Sequence, residues 1–108
     1  MKCLYLCGPY RGKNEWEVFL NIATARVWSE DIMRRGWAVY TPHLQTVFSA
    51  LDFEEIMRRD LEMLSRMDAI CLLPGWERSE GSRIEYDFAK KRGMRIFKGP
   101  GEVPYETS

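Results

Sequence analysis

Apolar and polar positions along the chain fall into short blocks that change period. Lys2–Cys7 is a compact apolar run that stops at Gly8-Pro9, as a buried strand does. Asn14 then offers a helix N-cap, with Glu15 and Glu17 in the first turn. Trp16, Leu20, Ala23 and Val27 recur at helical spacing and form the apolar stripe of that helix, which Gly36 ends. Trp37–Thr41 predicts a second strand, closed by Pro42. A second helix is predicted over about Asp52–Arg66, with Phe53, Ile56, Met57, Leu61 and Leu64 as its stripe. Asp68–Leu73 reads as a third strand, stopped by Pro74-Gly75. A third helix over about Ser82–Arg92 turns Ile84, Phe88 and Ala89 inward, and Gly93 ends it. Met94–Phe97 is a fourth strand, and the tail from about Gly99 is irregular.

Strands alternating with helices predict an α/β fold: a small three-layer, flavodoxin- or Rossmann-like sandwich around a mainly parallel sheet of four to five strands. In such sheets ligands bind beyond the carboxyl ends of the strands, where strand order reverses. The segments leaving those ends are Gly8–Asn14, Thr41–Leu51, Pro74–Gly81 and the tail. Any function is expected there.

Composition narrows the class. At 108 residues the chain is one domain, 1–108. Sixteen basic and sixteen acidic residues leave no net charge, so polymeric nucleic acid is not an expected partner. No apolar run approaches the ~20 residues of a membrane span, and no signal peptide is read at the start. Cys3 and Cys7 share a strand face but lie ~13 Å apart in extended chain, too far for a disulfide. All three cysteines are read as reduced thiols of a cytoplasmic protein. With a single His, no Cys/His set has metal-ligand spacing.

Three features offer chemistry. Gly8-Pro9-Tyr10-Arg11-Gly12 follows a strand and precedes a helix, where an anion cradle belongs. Gly8 permits close approach of a ligand, and Arg11 presents a planar fork to a phosphate or carboxylate. The plainer alternative is a tight turn with a solvated Arg. Asp60 falls in or beside the stripe of Ile56, Met57 and Leu64, where a carboxylate is costly unless it is used or paired with Arg34 or Arg59. Ser79, Gly81 and Ser82 bring hydroxyls and backbone N–H groups to a helix start, and Glu85 sits one turn in beside the core face. Ser82-x-x-Glu85 also fits a capping box. His43 contacts a ligand or simply occupies a loop. Trp76 stacks on a base or caps the core edge. Tyr5 reaches the strand end or stays in the core. Met33, Met57, Met63 and Met67 are core residues.

Tyr5-Leu6-Cys7-Gly8-Pro9-Tyr10-Arg11-Gly12, Asp60, Asp68-Ala69-Ile70 and Ser79-x-Gly81-x-x-x-Glu85 together resemble the nucleoside 2-deoxyribosyltransferase superfamily. The nearest likeness is to its small 2′-deoxynucleoside 5′-monophosphate N-glycosidases and to a group of short bacterial and phage proteins of unassigned activity. The resemblance extends to about Phe97. It implies that Glu85 attacks C1′ of the sugar, that Asp60 orients the sugar or handles the proton, and that Tyr5 lies near the reacting carboxylate. It places Arg11, Ser79 and Gly81 around a 5′-phosphate, with Gly8, Tyr10, His43 and Trp76 as further substrate contacts. It implies no cofactor and a homodimer or larger homo-oligomer. The family's subunit-crossing Ser has no assigned counterpart in Thr107 or Ser108. The expected activity is cleavage of the base–sugar bond of a (deoxy)nucleoside 5′-monophosphate. A base-exchanging deoxyribosyltransferase, a ribonucleotide hydrolase and a non-catalytic nucleotide sensor are the alternatives.

Overall fold

The computed structural model describes residues 1–106; Thr107 and Ser108 lie outside the described residues. The elements run β1 (Cys3–Cys7), α1 (Glu15–Arg34), β2 (Ala38–Tyr40), α2 (Pro42–Gln45), α3 (Phe53–Leu64), β3 (Ala69–Leu72), α4 (Glu80–Lys91) and β4 (Arg95–Phe97). Proline at the first helical position starts the four-residue α2, which the apolar pattern did not reveal. The four strands are all parallel, in the order β2-β1-β3-β4. The chain moves outward from β1 to β2 and then back across β1 to β3. Strand order therefore reverses between β1 and β3, and a crevice opens beyond their carboxyl ends. Asp68 fixes the other end of this pair, its Oδ2 accepting a hydrogen bond from the Cys3 N–H at 2.7 Å.

Side-chain alternation along the central strands builds two cores. Leu4 and Leu6 of β1, with Ala69, Cys71 and Leu73, pack against Ala25 and Ile32 of α1 and against Trp37, Phe97 and Val103. Tyr5 and Cys7, with Ile70 and Leu72, face the opposite way, toward Leu64 of α3 and Ala89 of α4. The irregular tail completes the first core. Arg35 Nη1 donates to the carbonyls of Pro100 (2.8 Å) and Val103 (2.9 Å), and Trp37 Nε1 donates to that of Pro104 (2.9 Å).

Three expectations are corrected. Met33, expected in the core, is 40% exposed. The stripe of Trp16, Leu20, Ala23 and Val27 is not the core face of α1: Trp16 is 65% exposed and Val27 66%. The helix is apolar on two sides and buries the other one, through Ala25, Ser29 and Ile32. Trp28, half-buried, packs against the same core. The N-cap of α4 is Ser79, whose Oγ accepts from the Ser82 N–H at 3.2 Å. Ser82 is inside the helix, so the Ser82–Glu85 capping box does not form. The three cysteines are free thiols. Among the described residues, no helix is long and apolar enough to cross a membrane.

Candidate active site

Helical spacing on α4 turns Ser82, Glu85 and Ala89 toward the sheet. Cys7, at the end of β1, meets the first turn of α4, its Sγ lying 3.6 Å from the Ser82 carbonyl oxygen. Tyr5, two residues earlier on the same face, meets the next turn, and its hydroxyl donates to Glu85 Oε2 at 2.5 Å. On α3, Asp52 caps the N-terminus by accepting from the Glu55 N–H at 2.9 Å. Met57, Asp60 and Leu64 then form the buried side of that helix. Two carboxyl groups, each about 5% exposed, are thereby aimed from two helices at one sheet face.

Neither carboxyl is neutralised by an arginine. Arg34 pairs with Glu30 and Arg59 with Glu55, which disposes of the ion-pair alternative for Asp60. Burial pushes Glu85 up to about 8; the Tyr5 hydrogen bond opposes that rise and the charge of Asp60 adds to it. Burial raises Asp60 to about 6. Tyr5 is pushed well above its ordinary value by burial and then by Glu85 and Asp60, so its hydroxyl remains a donor. At neutral pH the pair therefore carries one proton, held by Glu85, the less acidic of the two.

A cleft of about 620 Å³ lies over this pair, within the range of small-molecule sites. Of the sequence-predicted residues, Gly8, Tyr10, Arg11, His43, Asp60, Ser79, Gly81 and Glu85 line it. Tyr5 lies beneath Glu85. Trp76 stands apart, its ring 4.6 Å from that of Tyr86 at the core edge. Gly8 and Gly81 also have packing reasons. A Cβ on Gly8 would lie 2.9 Å from Leu73 Cβ, and one on Gly81 would lie 3.3 Å from Met57 Sδ. The first lets the ends of β1 and β3 converge; the second lets α4 close on α3. Arg11 extends over the Phe53 ring, 5.2 Å from its centroid, at the cleft wall.

His43 is buried beside Tyr10. Its Nε2 lies 2.9 Å from the Pro9 carbonyl, which can only accept, so Nε2 carries the hydrogen. Burial lowers its pKa, against hydrogen bonds to the Pro9 and Gly8 backbone, which raise it. The ring is then neutral, and Nδ1 is a bare acceptor. Among the described residues, His43 Nδ1, Asp60 Oδ1 and Ser82 Oγ are buried without a hydrogen-bond partner, and all three residues line the cleft. Buried polar atoms are nearly always paired; Arg35 Nε and Thr41 Oγ1, whose residues do not line the cleft, lack a partner as well, and the three at the cleft offer unmet hydrogen-bonding capacity there.

The sequence pattern missed several participants. Tyr40 is the β2 register partner of Tyr5, and their rings lie 5.5 Å apart. Burial, then Asp60 and Glu85, raises its hydroxyl to about 12. Strand pairing alone places it there, so no local signal announces it. Arg78, a second cation at the cleft, enters through a 3-10 turn at Trp76–Arg78. Phe48 lies at the mouth. Ser82 was visible at the helix start, but its unpartnered hydroxyl depends on Ser79 taking the cap.

Residues 2–98 match the family described as a domain of unknown function, DUF4406. No curated protein matches the chain.

Proposed function

The chain belongs to the DUF4406 family, whose description assigns no activity, and from the site we propose that it is an N-glycosidase acting on a (deoxy)nucleoside 5′-monophosphate. The observation that carries this reading is the buried Tyr5–Glu85–Asp60 cluster, opening into a cleft edged by unpartnered polar atoms and by Arg11 and Arg78. Breaking a base–sugar bond builds positive charge on the sugar, and a desolvated carboxylate stabilises it strongly. Two carboxyls lining one cleft also suit a covalent route through Glu85.

In the first step a Glu85 oxygen bonds to C1′, the C1′–N bond breaks, and the departing base takes the proton from Asp60. In the second, water adds to C1′, its proton returns to Asp60, and Glu85 leaves as carboxylate. Tyr5 donates to Glu85 throughout and holds its charge in place. Between about pH 6 and 8 the pair carries one proton, held at rest by Glu85, and the working state is the form with that proton on Asp60 and Glu85 ionised. Arg11, Arg78 and the backbone N–H groups that open α4 suit the 5′-phosphate. This reading places the chain with the nucleoside 2-deoxyribosyltransferase superfamily. It includes a homo-oligomer, supported by the open Trp16 and Phe19 side chains on α1.

The test incubates the protein with each common deoxy- and ribonucleoside 5′-monophosphate and follows free base by chromatography, beside Glu85→Gln. Base release by the wild type alone is the expected result. A new nucleotide on adding a second free base would make the enzyme a transferase. Nucleotide binding with no turnover would replace the hydrolase by a sensor.

A further inference from the structure

Phe48 is placed at a cost that the fold does not repay. Its side chain is 98% exposed. Its φ of 62° lies in the left-handed region, and it is the one non-glycine among the described residues with positive φ. A bulky side chain is disfavoured in that conformation, and an exposed ring contributes nothing to burial. Yet Phe48 lines the mouth of the cleft whose floor holds Asp60 and Glu85. The segment carrying it is lightly held: Ser49 N–H bonds to the Thr46 carbonyl at 3.0 Å, and Leu51 N–H to Ser49 Oγ at 3.2 Å. Thr46, Ser49 and Leu51 also line a second cavity of about 420 Å³, beside Tyr40 and Met63, and Asp60 borders both. The loop is thus a thin wall between the two cavities.

We infer that Phe48 is a stacking clamp for the heterocyclic base of the ligand, closing over it when the sugar sits at Glu85. This rests on the reading of the cleft as a nucleotide site. A flat heterocycle is the occupant that suits an aromatic face at the mouth of a polar cleft, because stacking rewards ring-on-ring contact and tolerates any base. Closure also covers the exposed ring, which no contact among the described residues does.

The experiment uses Glu85→Gln protein, so that bound nucleotide is not consumed. Calorimetric affinities are measured for the deoxynucleoside 5′-monophosphates and for 2-deoxyribose 5-phosphate, which lacks a base. Adding Phe48→Ala should weaken nucleotide binding about tenfold or more, and leave the sugar phosphate unchanged. Phe48→Trp should retain nucleotide affinity. Phe48→Gly, which suits the left-handed backbone, should lose it without any fall in melting temperature. Equal nucleotide affinity with and without the ring overturns the clamp and leaves the nucleotide reading standing. An equal loss for both probes also overturns it. If protein with Phe48 intact binds no nucleotide, the nucleotide reading itself fails and the clamp falls with it. A change of oligomeric state in Phe48→Ala, with nucleotide affinity kept, would assign the ring to a contact between copies instead.

Discussion

Glu85→Gln should make the protein more stable in neutral and alkaline solution, by an amount that grows with pH. Glu85 is 5% exposed, and its carboxyl titrates at about 8 in the fold against 4.5 as a free side chain. The folded state therefore keeps a proton that the unfolded chain releases. Below about pH 4.5 the group is neutral in both states and contributes no pH dependence. Above it, wild-type stability falls as pH rises and levels off past about 8. At ~1.4 kcal/mol per pK unit, the full window amounts to ~5 kcal/mol. Glutamine keeps the shape and the acceptor for Tyr5, and it has nothing to ionise. Urea unfolding followed by tryptophan fluorescence at pH 4, 6, 8 and 9 would measure the difference. The two proteins should coincide at pH 4 and diverge by several kcal/mol at pH 9. Parallel stability curves across this range would refute the claim that a desolvated carboxyl sits beneath the cleft. A gain in stability with loss of base release would mark Glu85 as a residue kept for chemistry at the fold's expense.

Tyr5→Phe removes a hydrogen bond to a carboxylate, worth ~1.5–3 kcal/mol, so Glu85 should rise by ~1–2 pK units. The alkaline fall in kcat/KM, where the pair loses its last proton, should move upward from about pH 8; an unchanged pH profile would separate Tyr5 from the reacting carboxylate. Asp60→Asn should lower kcat, remove the limb near pH 6 and leave substrate affinity largely intact, because the variant has no proton to give the departing base; a retained limb near 6 would assign it to another residue. Gly36→Ala should cost ~2 kcal/mol or more, since φ is +96° and the new Cβ would lie 2.2 Å from the Glu106 carbonyl oxygen. Thermal melts would check it, and an unchanged melting temperature would show that the tail does not hold this turn.

Much of the architecture was legible locally. Gly8-Pro9, Gly36, Pro42, Pro74-Gly75 and Gly93 break the chain where its backbone must turn, and Asn14 and Asp52 cap helices within a few residues of themselves. Asp60 and Glu85 were also legible, because a carboxylate at helical spacing from Leu64 or Ala89 falls on the inner side of its own helix. Their shared environment was not. Asp60 and Glu85 come from separate helices, and the loss of hydration that raises both follows from how α3 and α4 close on β1, with Gly81 against Met57. The tautomer of His43 likewise depends on Pro9, thirty-four positions away.

Local pattern was enough for the order of the strands and the three long helices, the parallel sheet they imply, and the residues able to act at the strand ends. These follow from periodicity, capping and chain breaks, which operate over a turn or a strand. Tertiary structure decided which side of α1 is buried, since both sides are apolar and only the fit of Ala25, Ser29 and Ile32 to the sheet distinguishes them. It also brought Tyr40 beside Tyr5 through register, sent Trp76 to Tyr86, and gave the cap of α4 to Ser79. Each of these depends on contacts between residues that are distant in the chain or on competition among neighbours for one position, and local pattern carries no record of either.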